Sequence, residues 1–194
     1  HGVNLAGSST VSTASGTLSI TGVTGTQGGS SFGVAVGSGT QVSTSSGNIS
    51  ITGTSRISGQ YGYGFWLGDN YTKIRAGGSG NITINGTSSD IGSGDALGMQ
   101  IRTAGSITTN NGNISLTGTS RGAAGNNNIG IGFNSPGSVI VSGTGSVSLT
   151  GTGGSVGIGS AGVSNAVVTT AGGAINITGS ASSTGTSAED ITVS

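Results

Sequence analysis

The sequence predicts an all-β fold, a parallel β-helix (β-solenoid) with three short strands per coil and about six coils of about 32 residues. Three observations predict it. One seven-residue block recurs six times, apolar residues alternate with polar or small ones around it, and 43 glycines with abundant Ser, Thr and Asn fill the intervals. Fixed recurrence is the mark of a repeat architecture, and a period of two without helical periodicity is the mark of strands.

The leading strand of each coil is a glycine followed by alternating residues. It reads Gly2-Val3-Asn4-Leu5, Gly33-Val34-Ala35-Val36, Gly64-Phe65-Trp66-Leu67, Gly98-Met99-Gln100-Ile101, Gly130-Ile131-Gly132-Phe133 and, less regularly, Gly157-Ile158-Gly159-Ser160. A second, shorter apolar point follows at Val11, Val42, Ile74, Ile107, Val139 and Val167. The third strand is the recurring block itself: GTLSITG (16–22), GNISITG (47–53), GNITING (80–86), GNISLTG (112–118), GSVSLTG (145–151) and GAINITG (173–179), with starts 31, 33, 32, 33 and 28 residues apart. One solenoid over 1–194 follows, with coils at 1–31, 32–62, 63–96, 97–128, 129–155 and 156–188, and with 189–194 beginning another. In Ile191-Thr192-Val193-Ser194 the alternation is that of a leading strand.

Stacking each coil on the next places equivalent residues in columns. Val3, Val34, Phe65, Met99, Ile131 and Ile158 form one inward column. The third strands supply two more, Leu18, Ile49, Ile82, Ile114, Val147, Ile175 and Ile20, Ile51, Ile84, Leu116, Leu149, Ile177. Six coils at about 4.8 Å each give a rod roughly 30 Å long. The variable stretch after each ITG block is expected to bulge from it as a loop. A propeller is the competing fold, but its blades favour four longer strands, and 4% aromatic residues would hardly fill the wedges between them.

Composition narrows function. Glycine and serine in this abundance also suit a flexible linker, which has no reason to hold Ile, Val and Leu in register. Five Lys and Arg balance five Asp and Glu, so the basic footprint of a nucleic-acid or anionic-lipid partner is missing. No apolar run is long enough for a membrane-spanning helix. The absence of cysteine excludes disulfides and thiolate metal sites without identifying a compartment. The opening His1-Gly2-Val3 reads as processed or excised from a longer chain, and a solenoid beginning and stopping at one phase either continues in a parent or docks head to tail.

Units of the form GNISITGTS followed by a G-aliphatic-x-aliphatic strand resemble the β-strand repeats of very large bacterial surface and secreted proteins of the filamentous-haemagglutinin and autotransporter-passenger adhesin type. The resemblance covers essentially the whole chain. It implies a right-handed parallel β-helix acting outside the cell as a stalk, adhesin or matrix fibre, with a possible glycan or cell-surface receptor as partner.

Several residue groups invite chemistry. The outward columns Ser19, Ser50, Thr83, Ser115, Ser148, Asn176 and Thr21, Thr52, Asn85, Thr117, Thr150, Thr178 form a hydroxyl lattice that suits ice, or simply ladders along a soluble sheet. Tyr61, Tyr63, Phe65, Trp66 and Tyr71 gather most of the aromatic residues. Trp66 turned outward near Tyr71, with Asp69 and Asn70 alongside, is the candidate ligand site, for a sugar ring or a protein partner. The competing role for Trp66 is to cover the wall, with Tyr63 and Phe65 thickening the core.

Asp90 with Asp95, and Glu189 with Asp190, could be imagined around a calcium ion, but two acids per loop are few for a hard cation and the calcium-binding nonapeptide of β-rolls does not occur, so solvated loop charges are the preferred reading. His1 is the only histidine and no carboxylates cluster with Arg or Lys on one wall, so no active site, metal or cofactor is read from the chain. Arg56 and Arg121 decorate the loop face. Asn48-Ile49-Ser50, Asn81-Ile82-Thr83, Asn113-Ile114-Ser115 and Asn176-Ile177-Thr178 match the glycosylation sequon as a by-product of the repeat. The expected function is a structural and adhesive extracellular repeat protein, with a glycan-binding or ice-binding module as the alternative.

Overall fold

The computed structural model describes residues 1–26, 29–57, 61–68, 71–88, 95–102, 104–121, 127–134, 139–160, 166–182 and 192–193. The first coil holds β1 (Val3–Leu5), β2 (Thr10–Thr13) and β3 (Leu18–Val23). The second holds β4 (Ser30–Val36), β5 (Gln41–Thr44) and β6 (Ile49–Ser55), and the third β7 (Tyr61–Leu67), β8 (Lys73–Ala76) and β9 (Ile82–Ser88). The fourth contains β10 (Asp95–Arg102), β11 (Ser106–Thr109) and β12 (Ile114–Ser120), and the fifth β13 (Ile129–Asn134), β14 (Val139–Ser142) and β15 (Val147–Gly153). The sixth is β16 (Val156–Ser160), β17 (Val167–Thr170) and β18 (Ile175–Ala181), with β19 (Thr192–Val193) beyond it.

Each strand pairs in parallel with its equivalent one coil away, which generates three sheets. The first is β1-β4-β7-β10-β13-β16, the second runs from β2 through β5, β8, β11, β14 and β17 to β19, and the third is β3-β6-β9-β12-β15-β18. The chain is a parallel β-solenoid of six coils joined by five steps in the first and third sheets.

The register carries the expected columns through every coil. Val3, Val34, Phe65, Met99, Ile131 and Ile158 are successive partners. So are Leu18 through Ile175 and Ile20 through Ile177. These columns and that of Leu5, Val36, Leu67, Ile101 and Phe133 fill one continuous core, whose central members are fully buried. β-branched and long aliphatic side chains suit a pleated wall of this kind.

Two expectations are corrected. The second-sheet column ends in Ile140 and Val168, not Val139 and Val167, because Ile107 pairs with Ile140 and Ile140 with Val168. Ile140 and Val168 are fully buried, whereas Val167 is 39% exposed. A run of consecutive β-branched residues has no alternation to mark its inner face. The five-residue interval from Ile107 to the corner Gly112 recurs from Ile140 to Gly145 and would have marked it. At the chain end, Thr192 and Val193 pair with Val167 and Val168 in the second sheet rather than extending the leading one. Alternation shows that a segment is a strand without showing which sheet receives it.

Glycines set the cross-section. Gly33, Gly64, Gly98 and Gly130 of the first sheet press against Gly53, Gly86, Gly118 and Gly151 of the third. A Cβ on Gly53 would stand 2.0 Å from the Gly64 oxygen, and one on Gly86 2.1 Å from that of Gly98. The two sheets therefore touch backbone to backbone along a seam that no other residue fits. At the opposite corner the first glycine of each block stacks on its predecessor, with a Cβ on Gly80 reaching 2.2 Å from the Gly47 oxygen. Inward hydroxyls satisfy that corner: Thr109 Oγ1 accepts from Gly112 N at 2.8 Å, and Ser142 Oγ donates to the Gly112 carbonyl at 2.8 Å.

Candidate functional site

The seam glycine divides the leading strand between two apolar clusters, and that division decides where its aromatic residues go. Phe65 and Leu67 enter the tube and are fully buried. Tyr63, on the far side of Gly64, joins a second cluster with Leu97 and Ile129, against which Phe32, Trp66 and Val156 pack. Phe32, Tyr63, Leu97 and Ile129 are successive partners across coils two to five. Tyr63 thus thickens this second cluster and not the tube core. The signal in the sequence is an apolar residue directly before each seam glycine from Phe32 onward, which continues the alternation and so reads as one more core position, although the structure packs it in a separate cluster.

Trp66 is half-buried on the outside of the first sheet. Its ring stacks on Phe32 with centroids 5.3 Å apart and planes 12° apart, and Phe32 stacks on Tyr63 at 5.2 Å and on His1 at 4.7 Å. The indole lies over Gly37 and Gly68, where a Cβ would meet it at 2.6 and 1.9 Å. Bare glycine surface and a parallel aromatic neighbour hold the ring as a cover on the wall.

Tyr71 is placed differently. It is 74% exposed at the corner between the first and second sheets, with φ of 62°. Among the described residues no ring contact joins it to Trp66. Asp69 and Asn70 lie outside the described residues.

The phenol of Tyr63 is pushed up to about 12, first by burial and then by the Asp95 carboxylate, with the Arg102 guanidinium in partial opposition. Beside this cluster Gln100 is 4% exposed and its Oε1 has no partner. Asp90, Glu189 and Asp190 lie outside the described residues, among which no group of three His, Asp or Glu side chains could hold a metal ion. Arg121 N donates to the Ser88 carbonyl and continues the third sheet by a backbone bond, whereas Arg56 N donates to the side-chain hydroxyl Thr24 Oγ1.

Two ordered polar arrays run along the rod. Asn48 Oδ1 accepts from Asn81 N at 2.9 Å, Asn81 Oδ1 from Asn113 N at 2.7 Å, and Asn113 Oδ1 from Ser146 N at 2.8 Å. Three of the four sequon asparagines, Asn48, Asn81 and Asn113, are therefore a corner ladder, while Asn176 lies within β18 opposite Ser148. The third sheet's outer face carries the two expected hydroxyl columns and a third that alternation alone did not bring out, Val23, Thr54, Thr87, Thr119, Thr152 and Ser180.

Sheet order, register and period define the class: the chain is a β-solenoid repeat protein. No protein-family model matches it, and neither does any curated protein or solved structure.

Proposed function

We propose that the chain is a structural and adhesive rod outside the cell, either a segment of a giant surface adhesin or a subunit that stacks end to end. One observation carries this reading: the core columns keep their chemistry and register from the first coil to the last. The cross-section is therefore a unit to which a further coil, of the same chain or of a second copy, adds without rearrangement. A lattice of sparsely charged strands is suited to length and spacing, and a cell-surface receptor or glycan is the partner such a rod would engage.

Electron microscopy tests the reading. Continuous fibres with an axial repeat of roughly 30 Å support end-to-end stacking. Separate rods of that length that do not associate at any concentration count against the subunit form.

The third sheet favours one second reading. Thr52 and Thr54, Thr117 and Thr119, and Thr150 and Thr152 flank seam glycines in register in columns with no charge or aromatic ring, Arg56 and Arg121 standing just past their ends, as an ice-binding surface requires of its lattice. Ice-crystal shaping that disappears in Thr117→Lys would establish it, and unshaped crystals with the wild type would dismiss it.

A further inference from the structure

On the outside of the second sheet the third coil departs from its neighbours. Along β8, Ile74 and Ala76 are buried in the tube while Lys73 and Arg75 are exposed. Their partners are Gln41 and Ser43 in the coil before and Ser106 and Thr108 in the coil after. Two of the chain's five Lys and Arg residues thus stand together on a face of hydroxyls and amides. Asp95, the one carboxylate side chain among the described residues, belongs to β10 of the first sheet. No described acidic group answers this pair.

Arg75 also lines a groove of about 590 Å³, together with Ser12, Ser43, Ser45, Asn110 and the Gly77-Gly78 backbone. Local sequence shapes that groove. Three residues separate Ala76 from Gly80, where two separate Thr44 from Gly47 and Thr109 from Gly112. The longer corner takes Gly78 to φ of 56° and brings Gly77 so near Ser45 that a Cβ would stand 2.3 Å from its carbonyl oxygen.

At the other end of the same strand stands Tyr71. Ser8, Ser38 and Ala104, at the same corner of other coils, share its positive φ. The corner therefore imposes a left-handed backbone that is costly for a bulky residue, and in this coil it presents a phenol ring to solvent. Gln41 Nε2 donates to the Tyr71 carbonyl at 3.4 Å.

We propose that the strip from Tyr71 to Arg75 binds a carboxylate-bearing oligosaccharide, a chain of uronic acid residues. Arg75 receives a carboxylate through its planar fork, which a point charge does not reproduce. Lys73 faces the next acidic group, and the groove hydroxyls and Asn110 both donate to and accept from sugar hydroxyls. The ring of Tyr71 lies against the apolar face of a pyranose. Lys73 and Arg75 stand about 7 Å apart along the strand, with Tyr71 beyond them at the corner, so the strip calls for an oligosaccharide rather than a single sugar. This rests on the adhesive reading of the rod and gives it a ligand class.

The test is calorimetric titration of the intact chain with tetragalacturonate, with its methyl ester, and with free acetate as competitor. Rod dimensions are measured by electron microscopy on the same preparations, so that a failure to bind leaves the structural reading to be judged separately. The acid form is expected to bind, the ester about tenfold more weakly or not at all, and Arg75→Ala to lose about tenfold or more, the scale of one charge-assisted hydrogen bond. Arg75→Lys, which keeps charge and stem, is expected to recover only part of the loss, and Tyr71→Ala to weaken acid and ester alike. Equal binding of acid and ester, an unaffected Arg75→Ala variant with native circular dichroism, or displacement by acetate at concentrations matching the sugar would each overturn the proposal.

Discussion

Gly86 shows how far a single missing methyl group governs this molecule. It lies in the third strand between Asn85 and Thr87, and a Cβ there would stand 2.1 Å from the Gly98 oxygen and 3.0 Å from the Phe65 nitrogen. Neither neighbour is a side chain that can rotate away, so both sheets would have to separate. Gly86→Ala is expected to destabilise by about 3 kcal/mol, the upper range for overpacking, whereas Gly172→Ala, with nothing within 4 Å of its Cβ, should be nearly neutral. Urea midpoints of the two variants check this. Tyr63 supplies a pH dependence. The folded chain holds its phenolic proton more tightly than the unfolded one, raising the value from 10 to about 12. Its contribution is therefore complete below pH 10 and is lost as the pH rises toward 12. Stability measured across that window should fall more steeply in the wild type than in Tyr63→Phe.

Individual strands are short, and the corners between them depend on side chains as much as on backbone. Asn81 donates its own N–H to Asn48 and accepts from Asn113, so one residue ties three coils. Asn81→Ala removes one exposed hydrogen bond, a loss of about 1 kcal/mol. Asn81→Asp keeps the accepting oxygen and should restore most of it; thermal unfolding of the pair tests whether the ladder oxygen is what matters. At this scale the sequence was most legible where alternation was clean. The columns through Phe65 and Ile84 follow from a period of two, and the structure keeps them coil by coil. Alternation misplaced the second-sheet column at Val139 and Val167 because three and two consecutive β-branched aliphatic residues look alike on both faces. It also cannot separate the Phe32, Tyr63, Leu97 and Ile129 column from the tube core two residues on, since what divides them is a glycine pressed against a backbone on another strand. The site was legible only in part. Trp66 and Tyr71 are close in sequence, yet the wall takes one ring and the corner exposes the other. Arg75 carries no signal in the sequence, because Ser12, Ser43 and Asn110, which line the groove with it, come from other coils.

For the whole molecule, stability should be close to a sum over coils and their interfaces, because every pairing joins nearest neighbours. This has a consequence that a globular core would not share. Removing residues 80–111 excises one repeat and joins Ser79 to Gly112, which then stacks on Gly47 as Gly80 did. Phe65 comes to face Ile131, Ile74 to face Ile140 and Ile49 to face Ile114, pairs of the same kind as those lost, and the seam closes with Gly64 against Gly118. The shortened chain is expected to fold into a rod one coil, about 4.8 Å, shorter, with parallel β circular dichroism intact and cooperative unfolding retained. Removing residues 80–95 instead cuts within a coil, bringing hydroxyl columns against the core and seam glycines against side chains. That variant should not fold. If both deletions behave alike in unfolding and scattering experiments, the coil is not the stability unit, and the case for adding coils end to end in the same register loses its basis.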